Sequence, residues 1–160
     1  MDSLKITKTQ NSKLEGVDFN NLGFGNTFSD HMLICDYKNG QWGAAEILPF
    51  QTISLMPSAK IFHYGQSIFE GMKAYKDKNG ESWLFRPDQN FKRLNKSAHR
   101  LAIPLLPKAV FFEGLKALLK LDNAWIPNAT GSSLYIRPII FATGEGFHAS
   151  PADAYRFLIA

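Results

Sequence analysis

The sequence has a single cysteine, Cys35, among its 160 residues. One cysteine cannot form an internal disulfide, so a reducing compartment is the simplest setting for this chain. Cys35 lies in an apolar run and is predicted to be a small buried hydrophobe. Histidines are also few and far apart, at positions 31, 63, 99 and 148. They match no zinc spacing, so no metal is expected.

Long apolar runs are missing as well. A membrane-spanning helix needs about 18 or more consecutive apolar residues, and no stretch approaches that length. The N-terminus has neither the apolar core of a signal peptide nor an Arg-rich amphipathic pattern. The sequence therefore predicts a cytoplasmic protein with no membrane contact.

Charge is present in both signs, with 18 basic and 14 acidic residues and a net charge of +4. The basic residues are scattered and form no continuous run, so nucleic-acid binding is not expected. A modest positive excess is compatible with an anionic cofactor and with carboxylate substrates. The composition is 45% hydrophobic, which is enough for a sizeable core in a chain of one-domain size.

The pattern along the chain indicates a polar arm over residues 1–21 and one small α+β domain over residues 22–160. The arm is expected to be loosely held or to lie over a neighbouring surface. Two hairpins are predicted, one from 31–37 and 46–55 around Asn39-Gly40, the other from 72–76 and 82–85 around 77–80. Residues 134–141 form a strand interrupted by Pro138, and the chain ends on an apolar strand, which is unusual for a complete protein.

Two helices are predicted between these strands. Asp88 is the expected N-cap of the first, whose apolar face would carry Phe91, Leu94, Ala98 and Leu101. The second runs over about 108–121, with a buried stripe of Phe111, Leu115, Leu118 and Leu119. Both should pack on one face of a mainly antiparallel sheet.

Residues 62–75, FHYGQSIFEGMKAY, change character three times in fourteen residues. They predict extended chain, a bend at Gly65 and two helical turns over 66–73. An aromatic cluster of this kind is usually core, so a strand, a turn and a short core helix are the ordinary interpretation. The alternative is that the bend forms the floor of a binding site.

Five blocks in order favour the binding site. They are FGNTFSDHM from Phe24, HYGQSIFEGMKAY from His63, LFRPDQNFKRL from Leu84, the pair Trp125 and Pro127, and GSSLYIRP from Gly131. Together they resemble the branched-chain amino acid aminotransferases, which are fold type IV pyridoxal 5'-phosphate (PLP) enzymes. The resemblance implies the smaller N-terminal domain of such an enzyme, with PLP as cofactor and a homodimeric assembly. It implies amino transfer between leucine, isoleucine or valine and 2-oxoglutarate.

The resemblance also implies that no catalytic residue lies in this chain. The family's Schiff-base lysine belongs to the second domain, beyond Ala160, so Lys73 in the signature is expected to be structural. The 160 residues would then supply walls and anchors to the active site.

Arg93, in NFKRL, is the position that the resemblance assigns to the cofactor phosphate, which a planar guanidinium can bind through paired hydrogen bonds. It is predicted to leave its helix opposite the apolar face. The ordinary interpretation is an arginine on a solvated helix surface.

The resemblance assigns substrate contacts to aromatic walls and one cation. The walls are Phe24, Tyr64, Phe69 and Tyr135, and Arg137 is the cation that would receive a side-chain carboxylate. Tyr135 and Arg137 could instead be two residues on one strand face that pair with neighbours. The glycines of loop 143–149 suggest mobility, and the resemblance brings this loop, with Phe147 and Ala149, to the partner subunit's pocket. Animal members of the family carry aliphatic residues at those two positions.

Two other functions stay open. Another fold type IV enzyme, such as a D-amino acid aminotransferase or aminodeoxychorismate lyase, would use a related cofactor site. A non-catalytic fragment that only dimerises or binds a partner would need no lysine beyond Ala160.

Overall fold

The computed structural model describes residues 4–160. In that part of the chain no helix is long and apolar enough to cross a bilayer. The strands are β1 (Lys5–Ile6), β2 (His31–Lys38), β3 (Gln41–Trp42), β4 (Glu46–Pro49), β5 (Ser67–Phe69), β6 (Met72–Lys76), β7 (Ser82–Leu84), β8 (Leu134–Ile136), β9 (Pro138–Ala142) and β10 (Tyr155–Ile159). The helices are α1 (Lys60–Tyr64), α2 (Pro87–Arg100) and α3 (Lys108–Leu121), with short 3₁₀ turns at Leu14–Gly16 and Asn123–Trp125.

The larger sheet has the order β1-β4-β2-β10-β9-β5, with β3 also paired to β2. Its pairs are antiparallel except β1 with β4. The last strand, β10, lies in the middle, where Phe157 stands opposite Cys35 on one side and Ile140 on the other. Its apolar sequence suits this position, because hydrophobic clusters cover both faces of the sheet at β10.

The smaller sheet has the order β7-β6-β8. Two chain segments pass from one sheet to the other side by side, between β5 and β6 and between β8 and β9. At this crossing the Glu70 amide donates to the Pro138 carbonyl at 2.8 Å. Pro138 thus marks a change of sheet, which confirms the predicted interruption of the strand.

The main core lies between the sheets and the two long helices. Alternate residues of β2, β9 and β10 point into it, with Leu33, Ile140 and Phe157 fully buried against side chains such as Phe111 of α3. The opposite face of the larger sheet carries a smaller cluster, built from Met32, Phe141 and Leu158 and covered by residues 50–61. The predicted α+β class, with two helices on one face of a mainly antiparallel sheet, is confirmed.

The predicted helical turns over residues 66–73 are wrong. The helix, α1, lies earlier and ends at Gly65, whose left-handed φ of 60° stops it. The following residues form β5 and β6, where buried Met72 and Ala74 alternate with exposed Lys73 and Tyr75. This two-residue period is that of a strand and overrides the local helical spacing.

The predicted start of α2 also needs correction. The N-cap is Arg86, with φ 48°, and Asp88 is inside the first turn, where it makes no capping bond. Its carboxylate still lies near the positive end of the helix dipole. Leu101 lies just past the helix end and is exposed, so it does not continue the apolar face. The limits and buried stripe predicted for α3 are confirmed.

Both predicted hairpins are present, although the returning strand of the first ends at Pro49 rather than at residue 55. Cys35 is buried as predicted, and its thiol donates to the Gly43 carbonyl at 3.3 Å. Burial, helped by the nearby Asp36, raises the pKa of this thiol to about 11. A thiol with that pKa is almost wholly protonated at neutral pH and reacts slowly.

Gly114 tests how closely α3 packs on β2. A Cβ at Gly114 would lie 2.5 Å from Cδ2 of the fully buried Leu33. Alanine gains about 1 kcal/mol of helix propensity, but overpacking a core costs about 1–3 kcal/mol. Gly114→Ala should therefore lower the free energy of unfolding by about 1 kcal/mol, measured by urea denaturation of the purified protein.

The matched control is Gly16→Ala, because a Cβ there would have no atom within 4 Å. Its stability should change little. A Gly114→Ala protein more stable than the parent would mean that the Leu33 side chain can change its conformation without loss of stability.

Candidate active site

A buried carboxylate organises the crossing between the sheets. Glu70 is 8% exposed and receives Arg93 Nε on Oε1 at 3.0 Å and Arg93 Nη2 on Oε2 at 2.7 Å. The Asn90 side-chain amide donates to the same Oε2 at 3.0 Å and to the Gly71 carbonyl at 3.1 Å. Asn90 and Arg93 are three residues apart on α2, so one helix face presents both to Glu70.

The ion pair fixes the direction of the Arg93 guanidinium. Its hydrogen bonds to Glu70 raise the pKa of Arg93, so the group stays charged at all physiological pH values. They use Nε and Nη2, which leaves the Nη1 edge for another acceptor. Arg93 is exposed, as predicted for a residue away from the apolar face of α2, and it lies one turn after buried Asn90.

Arg93 lines an open cavity of about 420 Å³ on the outer side of β6. Its side chain is 59% exposed there. Two further cations, Lys73 and Arg86, line the same cavity. Since Glu70 neutralises only one of the three, the cavity keeps an excess of positive charge and is suited to an anion.

A second group joins four of the predicted substrate residues. The hydroxyl of Tyr135 accepts from Arg137 Nε at 3.2 Å and from Nη2 at 2.9 Å. The Arg137 guanidinium lies over the ring of Phe69, 4.4 Å from its centroid. Phe24 meets the Tyr135 ring edge to face, with 5.2 Å between centroids. Tyr135 and Arg137 share a side because they are two residues apart on an extended chain.

This group borders a larger cavity of about 690 Å³. Just over half of the lining residues are aromatic or aliphatic, and polar side chains complete the lining, a mixture that suits a small-molecule site. The lining residues that the sequence predicts as substrate contacts are Phe24, Tyr135 and Arg137, and others include Phe19, Leu22, Phe28, Phe50, Trp125 and Leu134.

One close contact, between Gly71 and Tyr135, links the linings of the two cavities. Gly71 lines the first cavity, and its Cα faces the hydroxyl of Tyr135, which lines the second. A Cβ at Gly71 would lie well inside van der Waals contact with that hydroxyl. Only glycine leaves room for the Tyr135 hydroxyl here. The contact therefore links the cavity lined by Arg93, Lys73 and Arg86 to the aromatic cavity lined by Tyr135.

The remaining predicted contacts lie elsewhere. The Tyr64 hydroxyl donates to the Phe147 carbonyl, and the His63 ring meets Phe147 edge to face at 5.0 Å. Ala149 is exposed on the same loop. None of these residues lines the cation-lined cavity or the aromatic cavity. The structure thus joins Phe24, Phe69, Tyr135 and Arg137, places Arg93 next to them, and puts Tyr64, Phe147 and Ala149 in a separate group.

The sequence interpretation missed Glu70 and Asn90. Both left a signal, because Asn90 stands three residues before Arg93 and Glu70 is the one acidic residue of the motif at 62–75. Lys73 is exposed on β6 and lines the anion cavity. Within residues 4–160, no cluster of three or more His, Cys, Asp or Glu side chains could hold a metal ion.

The fold matches part of the branched-chain aminotransferase structures. The Escherichia coli enzyme aligns over 82% of this chain and 38% of its own, with a TM-score of 0.60 and 24% identity. The enzyme of Thermoproteus uzoniensis, solved with norvaline, aligns over 81% of this chain with a TM-score of 0.56 and 22% identity. At these identities the likeness concerns the fold. No protein-family model matches the chain.

Sequence similarity is closer. Branched-chain-amino-acid aminotransferase 2 of Bacillus subtilis is 43% identical over 157 residues, which are 98% of this chain and 42% of that protein. The branched-chain-amino-acid aminotransferase of Mycobacterium tuberculosis is 49% identical over 139 residues, 86% of this chain and 38% of its own. The chain is therefore a homologue of the branched-chain amino acid aminotransferases that spans about two fifths of their length.

Gly71→Ala tests the contact between the cavities. The added methyl group must push the Tyr135 hydroxyl aside, so the free energy of unfolding should fall by about 1–2 kcal/mol. In a Tyr135→Phe background the loss should be smaller, because the worst contact is with the hydroxyl. Urea denaturation of the four proteins in this double-mutant cycle measures the coupling. Equal losses in both backgrounds would show that the ring or the backbone, and not the hydroxyl, resists the methyl group.

Proposed function

We propose that this chain is the N-terminal part of a cytoplasmic, PLP-dependent branched-chain aminotransferase. The enzyme would transfer an amino group between leucine, isoleucine or valine and 2-oxoglutarate. The observation that carries the proposal is the close contact of Gly71 with Tyr135, which links a cavity lined by cations to a cavity lined by aromatic rings. Homology over two fifths of known branched-chain aminotransferases supports it.

The cation-lined cavity fits the phosphate of PLP. Arg93 is held by Glu70 so that its Nη1 edge remains for phosphate oxygens, and Lys73 and Arg86 add charge at the rim. When bound, PLP supplies the electron sink that stabilises negative charge at the substrate α-carbon. This chain would anchor the cofactor, while the lysine that bonds to PLP is expected in the rest of the enzyme.

The aromatic cavity fits the two kinds of side chain that the reaction requires. Phe24 and the ring of Tyr135 offer apolar surface to an aliphatic side chain. Arg137 stands at the same wall and keeps its Nη1 donors, since Tyr135 receives bonds only from Nε and Nη2. A carboxylate of glutamate or 2-oxoglutarate could accept from those donors.

We further propose that the enzyme is a homodimer in which loop 143–149 reaches the partner's pocket. The separation of Phe147 and Ala149 from both cavities of this chain supports that arrangement. Tyr64, which holds the Phe147 carbonyl, would then shape the partner's pocket through this loop.

Arg93→Ala tests the phosphate anchor. In the enzyme that contains this chain, the variant should bind PLP about tenfold to a hundredfold more weakly, the range for a hydrogen bond to a charged group. Titration of the apoenzyme with PLP by absorbance measures the dissociation constant. The control is Arg100→Ala, an exposed arginine at the end of the same helix, which should leave PLP affinity unchanged. An unchanged PLP dissociation constant for Arg93→Ala would show that Arg93 pairs with Glu70 and does not bind the phosphate.

Arg137→Met tests recognition of the carboxylate. Methionine keeps much of the side-chain length and removes the charge. Single-turnover kcat/KM for glutamate should fall about tenfold to a hundredfold, while leucine loses clearly less, because an aliphatic side chain offers Arg137 no acceptor. Leucine is therefore the internal control. Equal losses for the two substrates would mean that Arg137 organises the pocket through Tyr135 and Phe69 and does not bind the carboxylate.

A further inference from the structure

Lys60 is a buried lysine without a carboxylate partner among the described residues. It is 3% exposed, although lysine is almost never fully buried unless it is paired. Its ammonium group donates to Ser150 Oγ at 2.6 Å, to the Ser150 carbonyl at 3.2 Å and to the Pro151 carbonyl at 3.3 Å. Nε2 of His148 lies 3.5 Å away.

All of these partners belong to one short segment. The three N–H bonds of an ammonium group match three oxygens of residues 150–151, so the charge is stabilised by neutral dipoles alone. Burying a charge costs free energy that such dipoles must offset together. The ammonium group of Lys60 thus holds residues 150–151 in place through these hydrogen bonds.

Residues 58–66, in and around α1, also hold both ends of the loop 144–150 by other hydrogen bonds. The Lys60 amide donates to the Gly144 carbonyl at 2.9 Å, and the Gly146 amide donates to the Ser58 carbonyl at 3.0 Å. At the far end, the Gln66 side-chain amide donates to the Ser150 carbonyl at 2.9 Å. Between these anchors lie residues 147–149, the segment with the proposed contacts to the partner's pocket.

Gly146 shows how closely the loop approaches Lys60. Its φ of 130° is a conformation that other residues avoid, and a Cβ there would lie 2.9 Å from His148 and 3.5 Å from Lys60 Cε. Gly144 is packed equally closely, since a Cβ there would lie 2.5 Å from Asp153 Oδ1. Both glycines thus permit close packing, whereas the sequence suggests that they make the loop mobile.

We infer that Lys60 is a positioning residue for substrate specificity. Its buried ammonium group holds residues 146–151 in the conformation that presents Phe147 and Ala149, and thereby shapes the pocket that receives the loop. The effect on specificity rests on the proposed function. The effect on the loop does not.

The first test measures the loop itself. Lys60→Met keeps an unbranched side chain and removes the three donors. Hydrogen–deuterium exchange of the purified protein should show amides of 146–152 exchanging about tenfold faster, with α3 unchanged. Lys73→Met, an exposed lysine, is the control and should leave the loop unchanged. If Lys60→Met does not fold, Ser150→Ala removes only the 2.6 Å acceptor and should give a smaller increase. Unchanged exchange in the folded variant would overturn the inference.

The second test measures specificity in the enzyme that contains this chain. Lys60→Met should raise KM for leucine several-fold and leave the PLP dissociation constant as it was, because Arg93 lies elsewhere. Faster exchange with an unchanged KM would overturn the role in specificity. A parent protein without transaminase activity would refute the proposed function, and the exchange experiment would still decide whether Lys60 holds the loop.

Discussion

The carboxylate of Glu70 is the group on which the rest of the site depends. It is buried where two chain segments leave one sheet for the other, and a buried charge is costly unless hydrogen bonds or an opposite charge stabilise it. Arg93 and Asn90 meet that requirement from α2. The same bonds therefore dock the helix on the crossing and orient the guanidinium, so that folding and the proposed phosphate binding would share one interaction.

Close approach at the crossing has a chemical consequence. Because Gly71 has no side chain, the Tyr135 hydroxyl can lie against its backbone and still accept two bonds from Arg137. A residue that lines the cation-lined cavity, Gly71, is then in direct contact with a residue that lines the aromatic cavity, Tyr135. This contact suits the proposed arrangement, in which an anionic cofactor group and a mainly apolar substrate group occupy neighbouring cavities.

The sequence predicted those features that depend on neighbouring residues. The Asn39-Gly40 turn and the apolar spacing of α3 are local, and both are present. Residues 66–73 were mispredicted because pairing with β8 and β9 decides their conformation, and both strands come more than 60 positions later. Family motifs named Arg93, Arg137 and Tyr135, but no motif states that Glu70 holds Arg93 or that Tyr64 lies with Phe147 rather than with Phe24. Such pairings are products of the tertiary fold.

The two arginines differ in a way that separates their roles. Arg93 is already paired with a carboxylate, so a ligand there adds to a group whose orientation is fixed and whose charge is partly balanced. In residues 4–160 no carboxylate lies within ion-pair distance of Arg137. Its guanidinium donates to the Tyr135 hydroxyl and lies over the ring of Phe69. Aromatic rings stabilise a cation without neutralising it. The surroundings of Arg137 therefore suit the substrate carboxylate proposed for it, and those of Arg93 suit the fixed position proposed for a cofactor phosphate.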